Sequence, residues 1–392
     1  MKILPCLLFT VVMAPTVGLA VYAPIPDQEQ GKALTYRLGA TVSHDSNIFG
    51  SPAGAMDSMV YGINGEISYN SSVSDQTFFS ASYEVSHDHV VDRPGEKNLT
   101  NHTVEVRLAH SFAQDSNIDL NAAYIVAQNP ESLLAGVPLN ADQSFKRGQF
   151  DGRYTASINQ RTAFVTKYRF VDYAYDLATL AFDLDRTENL IGLESSFQYL
   201  PETKLVAEYR YQDIGYDRAG ATKDKTSNFF LAGFEHNPGK KLMISGRAGL
   251  EERNRKSASD TTVPYVELSS RYTYAEGSFL AAGYMHTIEE PSDVVRFTDT
   301  QVNRFFVNLQ HQLSGPFILS GSLTYEPSRL QGRPGVQVDV DEQTTRFGVA
   351  LAWRPTKNWA LIGTFDYDDV NSDDPSREQE RDRAGVNVRY TF

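Results

Sequence analysis

The sequence has one cysteine, two tryptophans and no run of the roughly 20 apolar residues that a membrane-spanning helix requires. Mean hydropathy is −0.38, which excludes a bundle of helices in lipid. An excess of base is missing too. Lys and Arg number 36 against 49 Asp and Glu, a net charge of −13, which excludes nucleic acid as a partner. There is no Gly-rich phosphate loop and no paired-carboxylate motif, and no cofactor or metal is expected. The one cysteine, Cys6, lies so near the start that it is expected to leave with a leader. The mature chain then has neither disulfide nor thiol chemistry.

What is present is alternation. In the last twelve residues, Ala384, Val386, Val388, Tyr390 and Phe392 alternate with Arg383, Gly385, Asn387, Arg389 and Thr391. This is the period-2 pattern of a strand with one apolar face. The same pattern starts at Leu34 and recurs along the chain, broken by tight turns and by longer polar loops. Turn chemistry places the tight turns at 71–75, 114–117, 159–162, 201–204, 237–240, 275–278, 314–316 and 355–358. The long connections are 45–56, 88–100, 128–144, 176–186, 217–224, 254–261, 289–299, 328–341 and 371–380. Together these give about 18 strands, with 16 as the alternative count, each of roughly 10 to 13 residues. Propeller blades have shorter strands, so a propeller is excluded. In lipid every backbone polar group must be paired, so such strands span only as a closed sheet. The expected fold is all-β: a transmembrane, up-and-down, antiparallel β-barrel over residues 34–392. With an even count, both termini lie on the tight-turn side.

Residues 1–23 read as a secretory signal peptide: Lys2, an apolar stretch from Ile3 to Val17, then small residues at Gly18, Ala20 and Ala23. Its removal takes the net charge to −14 and leaves residues 24–33 as a short periplasmic extension. The expected location is the outer membrane of a Gram-negative bacterium.

One strand face is apolar throughout, for example Tyr61, Ile63, Ile67 and Tyr69, or Phe347, Val349, Leu351 and Trp353. Aromatics flank the tight turns: Tyr69, Phe79, Phe112, Phe164, Tyr199, Phe234, Tyr274, Phe279, Phe317, Trp353 and Trp359. That is the sequence signature of an interfacial girdle. The opposite face is expected to line the lumen with Arg37, Glu105, Arg107, Lys167, Arg169, Glu208, Arg210, Arg247, Glu267, Arg271, Arg304, Arg346, Arg383 and Arg389. Pairing of the last strand with the first would set Arg383, Asn387 and Arg389 beside Arg37. The surplus acids lie mostly in the outer loops, a solvated surface suited to divalent cations beside lipopolysaccharide.

Ser43-His44-Asp45 and Ser86-His87-Asp88 bring triad residue types together. Neighbours on a strand point to opposite faces, however, so neither run forms a triad and no catalytic residue is assigned. His87, His89 and His102 match no strong metal-ligand spacing. The closing strand, ending on Tyr390 and Phe392, resembles the C-terminal signal read by the insertion machinery of outer-membrane barrels. The first strand, Tyr36-x-Leu38-Gly39, runs into Asp45-Ser46-Asn47-Ile48-Phe49 and resembles the start of the β-barrel porin 2 family. That resemblance implies a link to exopolysaccharide systems, with polysaccharide secretion components as partners. It supplies no catalytic residues.

The expected function is a porin-like channel for polar solutes, with saccharides or exported exopolysaccharide as cargo. The longest loop carries Leu133, Leu134, Val137 and Leu139 and is expected to narrow the mouth. Two alternatives remain: a structural or adhesive barrel with an occluded lumen, and a hydrolase working at the rim.

Overall fold

A computed structural model describes residues 33–113, 116–128, 144–218, 220–256, 258–291 and 293–392. The described residues form eighteen antiparallel strands closed into one barrel. The strands are β1 (Leu34–Asp45), β2 (Ser58–Ser74), β3 (Thr77–Val90), β4 (Asn98–Ala113), β5 (Ser116–Ala127), β6 (Phe145–Ser157), β7 (Thr162–Tyr175), β8 (Arg186–Leu200) and β9 (Thr203–Tyr216). They continue as β10 (Lys225–His236), β11 (Leu242–Arg255), β12 (Thr261–Ala275), β13 (Ser278–Glu289), β14 (Phe297–Gln312), β15 (Phe317–Gly332), β16 (Val340–Trp353), β17 (Trp359–Ser372) and β18 (Gln379–Thr391). Each pairs with its sequence neighbours, and β1 closes on β18 over nine residue pairs from Arg37↔Thr391 to Asp45↔Arg383. Closure leaves no edge strand, so the ladder satisfies the wall's backbone groups without help from water.

Short turns alternate with long connections, so the barrel has a turn side and a loop side. At the β12–β13 turn, Gly277 takes φ +67°, a left-handed conformation that a side chain would resist. The outward face is apolar and open: Leu38 is 57% exposed, Ile63 63% and Tyr199 61%. In water such a surface would be costly; against hydrocarbon it is the favourable one. Rings meet along the turn side, with Phe317 stacked on Trp353 and Tyr390 between Trp359 and Phe392.

Phe279 departs from the expected girdle. Leu280 pairs with Tyr272 on the outward face, so Phe279 points inward, where the Arg271 guanidinium sits 3.9 Å above its ring. A register shift between Thr273 and Ala275 accompanies this turn, so nearness to the turn did not decide the side.

Candidate functional site

Alternation in β1–β18 carries one polar residue in two to the interior, and the interior is where charge gathers. Near mid-wall, Lys167 Nζ lies 2.7 Å from Glu194 and 2.8 Å from Glu208. Arg210 reaches Glu208 at 2.9 Å, donates to the Tyr265 hydroxyl at 3.2 Å and stands 3.8 Å from Glu267. Arg247 joins Glu235 at 3.0 Å and Glu194 at 3.4 Å. Removing a charge from water is repaid only by close opposite charge and hydrogen bonds, and this cluster supplies both.

Several of the other charged lumen residues take partners in the same way. Arg107 Nε donates to Asp119 at 2.9 Å, and Arg169 pairs with Asp151 at 2.5 Å. Arg304 bridges Glu289 at 3.0 Å and Glu326 at 2.5 Å. Glu105 faces inward on β4, opposite Ser82 and Ala123. At the closing seam Arg37 pairs with Glu66 at 2.5 Å, and Arg383 with Asp368 at 3.1 Å. Arg346 stands 3.9 Å from the same Asp368, and Arg389 lies opposite Gly39. The seam arginines therefore stand beside carboxylates of the flanking strands, Glu66 of β2 and Asp368 of β17.

The Asp-Ser-Asn run after the first strand is built into that seam. Asp45 and Arg381 form a buried pair, with Arg381 Nε 2.9 Å from Asp45 Oδ1. The Ser46 amide donates to the Asp382 carbonyl at 3.0 Å, and the Asp382 amide donates to the Ser46 hydroxyl at 2.8 Å. Asn47 Nδ2 donates to the Glu380 carbonyl at 3.1 Å. Gly50, at φ +59°, lies so close under Gln379 that a Cβ would stand 2.8 Å from its side-chain oxygen. The motif thus extends the β1–β18 ladder past its end.

On the loop side, the β13–β14 connection turns into the barrel. Glu290 leaves the end of β13 and meets Tyr216 of β9 at 2.6 Å, Lys225 of β10 at 2.9 Å and Arg253 of β11 at 3.3 Å. Arg253 also binds Asp299 at 2.7 Å and Glu251 at 3.0 Å, and donates to the Ile288 carbonyl at 3.0 Å. Arg255 Nε is 2.7 Å from Asp299 Oδ2, an ion pair too bent to be a hydrogen bond. Glu251 and Asp299 are wholly buried. Farther along the connection, Val294 joins an apolar cluster with Phe145, Tyr173 and Tyr216, together with Leu184 from helix α1 (Ala178–Leu184).

Its far end is tied down separately. Arg296 reaches Asp374 in the β17–β18 connection at 2.6 Å, and Arg333 donates to the Val294 carbonyl at 2.9 Å. Partial burial pushes the Asp374 carboxyl up, but hydrogen bonds from Ser376 and the Arg296 charge outweigh it and hold it below the ordinary carboxylate range. An acid lowered in this way stabilises its contacts at every pH above its unfolded value of about 3.9, and loses them only as pH falls through the lower folded value. The inner loop therefore bridges the mouth from β9–β11 to the β17–β18 connection.

Leu133, Leu134, Val137 and Leu139, expected to narrow the mouth, lie outside the described residues. The inner loop was missed because Glu289-Glu290-Pro291 reads as solvated acid. The adjacent Val294-Val295 was the one sign of a buried segment.

All eight histidines lie on the outward face. His44, His87, His89, His102 and His286 stand toward the loop side, and His110, His236 and His311 toward the turn side. Ser43 and Asp45 face inward while His44 faces out, and Ser86 and Asp88 are likewise divided from His87. His87 takes Thr100 at 3.0 Å, His89 takes Asn98 at 2.9 Å and His102 takes Tyr83 at 2.9 Å. Among the described residues no three metal-ligating side chains come together.

No known protein family matches the chain, and no curated protein does. Several solved structures superpose on it, each with a TM-score below 0.5. OccAB4 of Acinetobacter baumannii superposes with a TM-score of 0.48 at 10% identity, covering 93% of this chain and 99% of that one. OpdK of Pseudomonas aeruginosa, solved with vanillate, gives 0.47 at 11% identity, covering 92% and 98%. The siderophore receptor PirA of Pseudomonas aeruginosa gives 0.42 at 9% identity, covering 91% and 80%.

Proposed function

We propose that the chain is an outer-membrane channel for polar solutes, with its long loops outside and its inner loop narrowing the mouth. The observation that carries this is the pairing of an apolar outer surface with a charge-lined interior inside one closed wall. Charged side chains on an inner face are stable where water or opposite charge meets them. On the turn side of the lumen Arg153, Arg271 and Thr273 are exposed, as a water-filled vestibule requires. A barrel of this strand number leaves space inside unless something fills it. Saccharide or exported polysaccharide is the favoured cargo, through the resemblance of the Asp45–Phe49 run to the β-barrel porin 2 family.

The second reading is a structural barrel with a blocked lumen, favoured by the wholly buried Glu251 and Asp299 on the loop side. Planar-bilayer recording separates the two. The native chain should give small conductance steps. Replacing residues 290–296 with a Gly-Ser linker should enlarge them several-fold. Absence of steps in both forms would sink the channel reading and leave the structural one.

A further inference from the structure

Glu290 is held as a bound anion would be held. Lys225 Nζ lies 2.9 Å from each of its carboxylate oxygens, the Tyr216 hydroxyl donates to Oε2 at 2.6 Å, and Arg253 Nη1 reaches Oε1 at 3.3 Å. Lys225 is 7% exposed and Arg253 2%, so these donors work in a dry setting where charge-assisted bonds are strong. Yet the residue they hold is not part of the wall. The β13–β14 ladder begins at Glu289↔Thr300, so withdrawing Glu290 breaks no ladder bond.

Hydrogen bonding decides what that withdrawal requires. With Glu290 in place, Lys225, Arg253 and Arg255 face Glu251, Asp299 and Glu290. Without it, Tyr216, Lys225 and Arg253 each lose this acceptor in a buried site, which is unfavourable unless another acceptor enters.

We propose that Tyr216, Lys225 and Arg253 form a binding site for the carboxylate of a soluble anionic solute, with Glu290 as its resident stand-in. Tyr216 reaches one oxygen, Arg253 the other and Lys225 both, which suits a carboxylate. A solute arriving from the loop side displaces Glu290 and frees that end of the inner loop, while Arg296 stays tied to Asp374. The direction of arrival rests on the channel reading; the site itself does not.

Two measurements test the site without relying on conductance. In the first, D-glucuronate is titrated calorimetrically into the detergent-solubilised full chain and into Glu290→Gln. The variant, whose stand-in carries no charge, should bind on the order of tenfold more tightly, equivalent to about 1.4 kcal/mol. Equal or weaker binding by the variant overturns the proposal. In the second, Val294→Cys in a Cys6→Ser background reports exposure of the inner loop through its rate of maleimide labelling, since Val294 is buried. D-glucuronate should accelerate labelling on the order of tenfold, whereas D-glucose and potassium chloride at matched ionic strength should not. Potassium chloride acting as well as glucuronate would reduce the effect to screening and overturn the site. Glucuronate binding by a barrel that conducts nothing would keep the site and sink the channel.

Discussion

Arg381→Gln should lower the stability of the closed barrel by about 3–5 kcal/mol, the usual cost of removing one partner from a buried ion pair. Arg381 is 3% exposed and holds Asp45, itself 4% exposed, through both of its carboxylate oxygens. With the guanidinium gone, the Asp45 carboxylate stays buried, and its remaining hydrogen bond is the one from the Asn47 amide at 3.0 Å. The loss falls at the one place where the two ends of the wall meet, so it should be read there. Folded barrels resist unfolding in cold detergent, and the temperature of the electrophoretic shift on heating gives the stability. Hydrogen exchange should rise in β1 and β18 and stay unchanged in β9 and β10. Asp45→Asn combined with Arg381→Gln should recover much of the loss, because no unpaired charge is left. A wild-type transition temperature in Arg381→Gln would show that the nine ladder pairs hold the seam unaided.

The second large effect belongs to Arg253. Arg253→Met removes the side chain that binds Glu251, Asp299 and Glu290 together, leaving three carboxylates to Lys225 and Arg255. A cost of about 3–5 kcal/mol is again expected, and here it should be accompanied by release of the inner loop. Adding Asp299→Asn should return a sizeable part of the stability, since it removes one of the orphaned charges. The paired readout is the unfolding temperature together with proteolysis of the β13–β14 connection. A variant that keeps a protected connection would show that Val294 and Arg296 hold the loop without the charge cluster.

Much of the wall could be read from the sequence. Alternation in Tyr36–Val42 or Val386–Phe392 is a local property, and turn residues such as Glu276-Gly277 announce themselves, so strand number and order followed. Phe279 shows where local reading stops, because its side is set by the pairing of Leu280 with Tyr272 across the turn. The inner loop lay further out of reach. Glu290 takes its place from Lys225, 65 residues away, and from Arg253, 37 residues away, which no pattern inside the loop encodes. The Asp45-Ser46-Asn47 run read as the start of a long connection and as a family resemblance, with no sign of what it would bind. Its partner Arg381 lies 336 residues along the chain and becomes its neighbour only when the barrel closes.

The outward placement of every histidine has a consequence for how the molecule meets metal ions. Imidazole is the commonest side-chain ligand for transition metals. Here all eight sit on the outer face of the barrel, none on its inner face. A metal-bearing solute inside the wall would therefore meet carboxylates, guanidinium groups and hydroxyls, but no imidazole to draw the metal away from it.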